Sequence, residues 1–197
     1  DGCYGSDSLY RFRYDCFVED RLVLKMTSGC AGFFTIEELD KGKGVLRSEK
    51  ERLDRAKIVK QFFQPFLLCE KNTFNRQELI DIVNGEMVSC FGAQYATQGA
   101  NPSLRFSAEQ ILMHDRITSV NVTGGLWGLG EVISEKDLAP DDWFFPCHFK
   151  DDQVMAGSLM AEGCVQLLQF YALYIGLHTR TKNARFQPIK KLSNIVK

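Results

Sequence analysis

Hydrophobic and polar positions alternate cleanly from Leu9 to Phe17. Tyr10, Phe12, Tyr14 and Cys16 fall on one side, and Arg11, Arg13 and Asp15 on the other. A period of two predicts a half-buried strand. Glu19-Asp20 interrupts the pattern, and Arg21 to Thr27 alternates again through Leu22, Leu24 and Met26. The pair predicts an antiparallel hairpin. It continues through Gly29-Cys30-Ala31-Gly32 into Phe33-Phe34. Thr35 then precedes Ile36-Glu37-Glu38-Leu39, with a carboxylate at the third helical position, which predicts a short capped helix. Residues 40–61 are charged and carry little apolar periodicity. Lys41-Gly42-Lys43-Gly44 suits a flexible joint, and Ser48 to Lys60 an exposed helix. Acids and bases alternate there, so 41–73 reads as a linker rather than a basic docking segment.

A new pattern starts at Phe74. Asn75 is placed as an N-cap with Glu78 three residues on, and Gly85 as the C-terminal stop. Two strands are expected over Ile117–Thr123 and Leu126–Ser134, joined tightly by Gly124-Gly125. The glycines at 124, 125, 128 and 130 precede no Lys-Ser/Thr and open no helix, so they make no phosphate loop; close strand packing is the better reading. Ser158 to His178 is the longest helical pattern. Leu159, Val165, Leu167, Leu168, Phe170, Ala172, Leu173 and Ile175 leave almost no polar face, which predicts a buried helix. On it, Glu162 and Gln166 lie four residues apart and need partners. Beyond Gly176 the chain turns basic, with Arg180, Lys182 and Arg185, and Phe186 to Lys197 reads as a strand.

Bulk composition narrows the function classes. The 197 residues suit one domain or one and a half small ones. An apolar fraction of 45% supports a real core. A net charge of −1 gives no global field favouring nucleic acid or an anionic membrane. No apolar run approaches a membrane span, and no signal peptide is visible. The chain begins at Asp1 without a methionine, so a piece of a longer protein is expected. Seven cysteines are scattered without paired zinc-type spacing, which fits reduced thiols and a cytoplasmic setting.

The densest chemistry lies at 143–166. His148 follows an aromatic run; Gly157 comes nine residues later, before the long helix; Glu162 is fourteen residues past the histidine. An imidazole and an acid beside a helix N-terminus are the parts for acid–base chemistry on a carbonyl compound. Read singly, His148 could be an ordinary histidine in an aromatic cluster, and Glu162 a satisfied buried carboxylate. His114 and His178 read as structural or surface residues. Cys147 adjoins His148, but neighbours on an extended segment point apart, so they make a poor nucleophile–base pair. Cys147, His148, Asp151, Asp152 and Cys164 fit no common zinc spacing, and no metal is expected.

Cys147-His148-Phe149, the run Asp152 to Gly157, Glu162 and Gln166 together resemble the β-hydroxyacyl-carrier-protein dehydratases of the hotdog fold. The phrase Gly157-Ser158-Leu159-Met160-Ala161-Glu162-Gly163-Cys164 looks most like the dehydratase domains of bacterial polyunsaturated fatty acid synthases. Residues 74–92 and Ile111-Leu112-Met113-His114-Asp115-Arg116-Ile117 resemble other parts of the same family. Gln153 and Ala156 depart from it, replacing two loop prolines, which predicts a less rigid loop.

The resemblance implies an α+β hotdog, an antiparallel sheet around a long central helix, here as part of a tandem. Residues 1–40 would be the last hairpin of a preceding unit, 41–73 a linker, and 74–197 the first part of a second unit. It implies dehydration of 3-hydroxyacyl thioesters, with or without double-bond isomerisation. His148 would be the base, oriented by the backbone carbonyl of Val154. Glu162, kept protonated by a raised pKa, would be the acid, oriented by Gln166. The Gly157 N–H would polarise the thioester carbonyl. No cofactor is implied beyond the phosphopantetheine that carries the substrate. The partners implied are an acyl carrier protein, received on Arg180, Lys182 and Arg185, and another hotdog unit that completes each site. A catalytically silent unit and a hotdog thioesterase stand as alternatives.

Overall fold

The computed structural model describes residues 2–4, 7–43, 46–97 and 101–187. Contacts divide the chain into two units, Asp1–Ser48 and Glu49–Lys197.

The first unit is a three-stranded antiparallel sheet in the order β1 (Gly2–Tyr4), β2 (Asp7–Val18), β3 (Arg21–Phe33), followed by the short helix α1 (Ile36–Asp40). The β2–β3 hairpin continues, as the sequence pattern predicts, through the glycine-containing stretch, and β3 ends at Phe33. Phe12 pairs with Gly29, and its ring covers that glycine. Register shifts fall between Phe12 and Tyr14 and between Cys16 and Phe17. Thr35 caps α1 in a complete capping box with Glu38. The alternation predicted a half-buried face, but Tyr10, Phe12, Tyr14, Leu22 and Leu24 are exposed. A sheet of three strands needs a second layer before its apolar face is dry.

The second unit opens on α2 (Glu49–Ala56), exposed throughout and shorter than the stretch predicted over 48–60. Residues read as linker then join the core: Phe63, Leu67 and Cys69 pack against it. The N–H groups of Phe66 and Leu67 donate to the Ile175 carbonyl, and that of Gln61 to Trp127. Next come α3 (Arg76–Asn84) and α4 (Met87–Phe91). Asn75 and Glu78 close a capping box on α3, and Gly85 ends it in the left-handed conformation at φ 83°.

A two-stranded sheet follows, β4 (Arg116–Asn121) paired antiparallel with β5 (Glu131–Glu135). The predicted tight Gly124-Gly125 link is replaced by a longer loop over 122–130. Two of its glycines answer to neighbours from elsewhere: a Cβ at Gly130 would collide with the Tyr171 hydroxyl, and one at Gly128 with the Gln61 carbonyl.

Helix α5 (Gly157–Tyr174) crosses this unit. Leu159, Gly163, Gln166, Phe170, Leu173 and Tyr174 are buried. The helix is not covered all round, as the sequence predicted: Met160, Cys164, Val165 and Leu168 are exposed. The main core gathers Phe74, Leu79, Ile82, Phe91, Tyr95, Ile117 and Phe170. Phe74 and Phe91 meet Phe170 and Tyr174 mostly edge to face. Tyr95 donates to the Tyr174 carbonyl at 2.6 Å, anchoring the end of α5. The strand expected from Phe186 lies beyond the described residues from 188 onward. The secondary structure is an α+β mix. Among the described residues no helix is long and apolar enough to cross a membrane.

Candidate active site

A smaller core supports the start of α5. Met113, Phe144, Phe145 and Leu159 are buried together, with Ile111, Met155 and Ala156 against them. Phe144 and Phe145 are the inward half of the aromatic run before His148, so their burial fixes where the histidine loop starts. The loop is a series of turns rather than the extended segment the sequence suggested. The His148 N–H donates to the Phe144 and Phe145 carbonyls, and the Cys147 Sγ faces the Trp143 carbonyl at 3.6 Å. Phe149 and Asp152 exchange backbone hydrogen bonds at 2.7 and 3.1 Å, around Asp151 at φ 65°.

His148 is half-buried and held at two points by Val154. The Val154 N–H donates to the His148 carbonyl at 3.1 Å, and His148 Nδ1 lies 2.9 Å from the Val154 carbonyl oxygen. A carbonyl oxygen only accepts, so Nδ1 carries a proton, and the neutral ring is the tautomer with its lone pair on Nε2. The Phe149 ring stacks on the imidazole with centroids 3.8 Å apart.

Gly157 is the first residue of α5. Ala156 precedes it as N-cap and offers no side-chain acceptor to the first turn. The first N–H groups of a helix have no intrahelical partner, and the dipole makes them an electropositive spot. A Cβ at Gly157 would meet nothing within 4 Å, so the approach to those amides is open.

Glu162 stands one turn further along and is half-buried, not enclosed as the apolar pattern implied. Gln166, with no exposed surface, donates through Nε2 to Glu162 Oε1 at 2.8 Å and to the Ile111 carbonyl at 2.9 Å. Its Oε1 accepts the Met113 N–H at 2.9 Å. Among the described residues, neither a hydrogen bond nor an ion pair joins His148 to Glu162.

Residues 106–197 match the FabA-like domain family. This chain carries a FabA-like domain. The FabA-like domain thus includes the His148 loop, α5 and the segment 111–117. Over 196 residues the chain is 41% identical to a polyunsaturated fatty acid synthase subunit of Thraustochytrium sp.. That alignment takes in 98% of this chain and 13% of the relative, so the chain spans a small part of that protein's length.

Arg180, Lys182 and Arg185 are all exposed. Arg180 lies over the Phe66 ring, 5.1 Å from its centroid, and Arg185 faces Gln187. Sequence reasoning gave His114 no part in the site. It is buried, and its Nε2 sits 2.7 Å from the Gly163 carbonyl on α5. Burial pushes its pKa below the ordinary histidine value, against the opposing pull of that hydrogen bond. Burial disfavours the Asp115 carboxylate, yet the Asp137 N–H, Lys136 and Arg76 together hold its pKa below the usual range.

Proposed function

We propose that this chain is a dehydratase unit that removes water from 3-hydroxyacyl thioesters in fatty acid synthesis, giving the 2-enoyl thioester. The observation that carries the reading is the His148 hydrogen bond to the Val154 carbonyl, which in the neutral imidazole puts the lone pair on Nε2, on a loop leading into the N-terminus of α5. In the reaction, Nε2 takes the proton from the α-carbon. The electron pair shifts toward the thioester carbonyl, whose oxygen gains charge and is met by the Gly157 N–H. That pair returns to form the α–β double bond as the β-hydroxyl leaves. Glu162 supplies a proton to that hydroxyl, so water departs. The carboxyl presents Oε1 to Gln166, which leaves Oε2 for the proton it gives away.

We infer a site shared between units from the sequence resemblance alone. Each would face the complementary residue of another hotdog unit, in the tandem arrangement that the sequence resemblance implies. The substrate is inferred to arrive on an acyl carrier protein, with Arg180, Lys182 and Arg185 as the docking face. Complementary charge there would mainly raise the association rate. A cytoplasmic setting is inferred from the scattered cysteine pattern of the sequence.

The test is His148→Ala in the full-length protein. Conversion of a 3-hydroxyacyl thioester to its 2-enoyl product should fall about 10²–10⁴-fold, with the fold retained. Undiminished conversion refutes the assignment. Release of free acid and thiol by the unmodified protein would instead favour a thioesterase.

A further inference from the structure

The segment 111–115 is fastened on two sides. Toward α3 and β5, Arg76 Nη1 donates to the His114 carbonyl at 3.0 Å and to Asp115 Oδ1 at 2.7 Å. Asp115 Oδ2 accepts from Lys136 Nζ at 3.0 Å and from the Asp137 N–H at 2.7 Å. Toward α5, His114 reaches the Gly163 carbonyl, while the Met113 N–H and Ile111 carbonyl grip Gln166. Gly163 allows this approach: a Cβ there would come within 3.2 Å of Met113 Cβ and 3.7 Å of His114 Cε1.

These contacts leave Gln166 no choice of orientation. Its oxygen is taken by a backbone N–H, and one of its two amide protons by a backbone carbonyl. The remaining proton goes to Glu162. The direction of the Glu162 carboxyl is therefore set by where segment 111–115 lies along α5. The only side chain of that segment tied directly to the α5 backbone, among the described contacts, is His114. Its bond falls on the residue immediately after Glu162.

We propose that His114 is a positioning residue for the reaction. Its Nε2–H, donated to the Gly163 carbonyl, fixes segment 111–115 in register with α5, and through Gln166 aims the Glu162 carboxyl at the substrate. This rests on the reading of Glu162 as the proton donor. The acceptor is a carbonyl, so Nε2 must carry a proton, and a side chain of equal bulk without a donor does not substitute.

The experiment compares His114→Leu, which keeps bulk and loses the donor, with His114→Gln, which offers an amide N–H in its place. Each is made in the full-length protein, alone and combined with Glu162→Gln, and assayed with a short 3-hydroxyacyl pantetheine thioester. His114→Leu should lower kcat about 10- to 100-fold, the scale of a misaimed catalytic group, with KM nearly unchanged. His114→Gln should recover most of that loss. In the Glu162→Gln background, His114→Leu should cost nothing more, because the carboxyl it aims is gone. Independently of activity, exchange of the Met113 amide hydrogen should quicken about tenfold or more in His114→Leu and not in His114→Gln.

Multiplicative losses in the double variant, equal losses for Leu and Gln, or a change confined to KM would each overturn the positioning role. Unchanged Met113 protection in His114→Leu would overturn the clamp itself. Full turnover in Glu162→Gln alone would remove the premise, and that result is read separately from the other two.

Discussion

Every polar atom of the Gln166 side chain is engaged, and a fully satisfied buried amide is a rigid support. Replacing Glu162 by Gln tests what that support is for. The new amide keeps a carbonyl oxygen that can accept from Gln166, so the stability cost should stay below about 1 kcal/mol. Turnover should fall about 10²–10⁴-fold if the lost proton is the one given to the leaving hydroxyl. A melt and a steady-state assay on one preparation separate the effects; a large drop in melting temperature with turnover intact would mark Glu162 as purely structural. The spacing of His148, Gly157, Glu162 and Gln166 could be read from sequence because all four lie within 19 positions. His114 could not. Its partner Gly163 is 49 residues away, and a lone histidine has no periodicity to betray it.

Helix ends were legible for a related reason: caps are local. The Asn75–Glu78 box and the left-handed Gly85 need only a few neighbouring residues to declare themselves. Asn75→Ala should remove the side-chain acceptor for the Glu78 N–H and cost about 0.5–2 kcal/mol, seen as a lower midpoint in denaturant with an unchanged slope. Faces were harder to read. An all-apolar α5 pattern says that the helix is hydrophobic, not which side is covered, and Met160, Cys164 and Leu168 remain in contact with solvent. The β4–β5 loop is not legible locally, because Tyr171 and Gln61, distant in sequence, decide where two of its glycines are needed.

Across the second unit, a buried imidazole, His114, and a half-buried one, His178, link stability to pH. Burial lowers the pKa of both His114 and His178 below the ordinary value of 6.5. The folded state then binds fewer protons than the unfolded state just below that value. Stability should therefore be level above about pH 7 and fall as the solution is acidified through 6.5 toward the lowered values. Asp115, with its depressed pKa, adds a second loss at still lower pH, beginning near the ordinary value of 3.8. Urea midpoints measured from about pH 8 to pH 5 should trace the histidine decline; a flat profile would mean that neither imidazole is neutral and buried. At this scale the sequence was least informative about where the second unit begins. Phe63, Leu67 and Cys69 sit in short irregular stretches, and their core role comes from the backbone bonds of residues 66 and 67 to Ile175.

Helix α5 differs from α1 and α3 at its N-terminus. Those two each carry a capping box, while α5, the longest, opens on Ala156 and Gly157 with no side chain to answer its first amides. A serine or aspartate at 156 is the kind of change that strengthens a helix by about 1 kcal/mol. Here the added side chain would crowd the amides beside the Gly157 N–H, which is proposed to meet the thioester oxygen. On that proposal the bare end of α5 is stability forgone, and a thermostabilising survey that optimised every cap should lower turnover through residue 156.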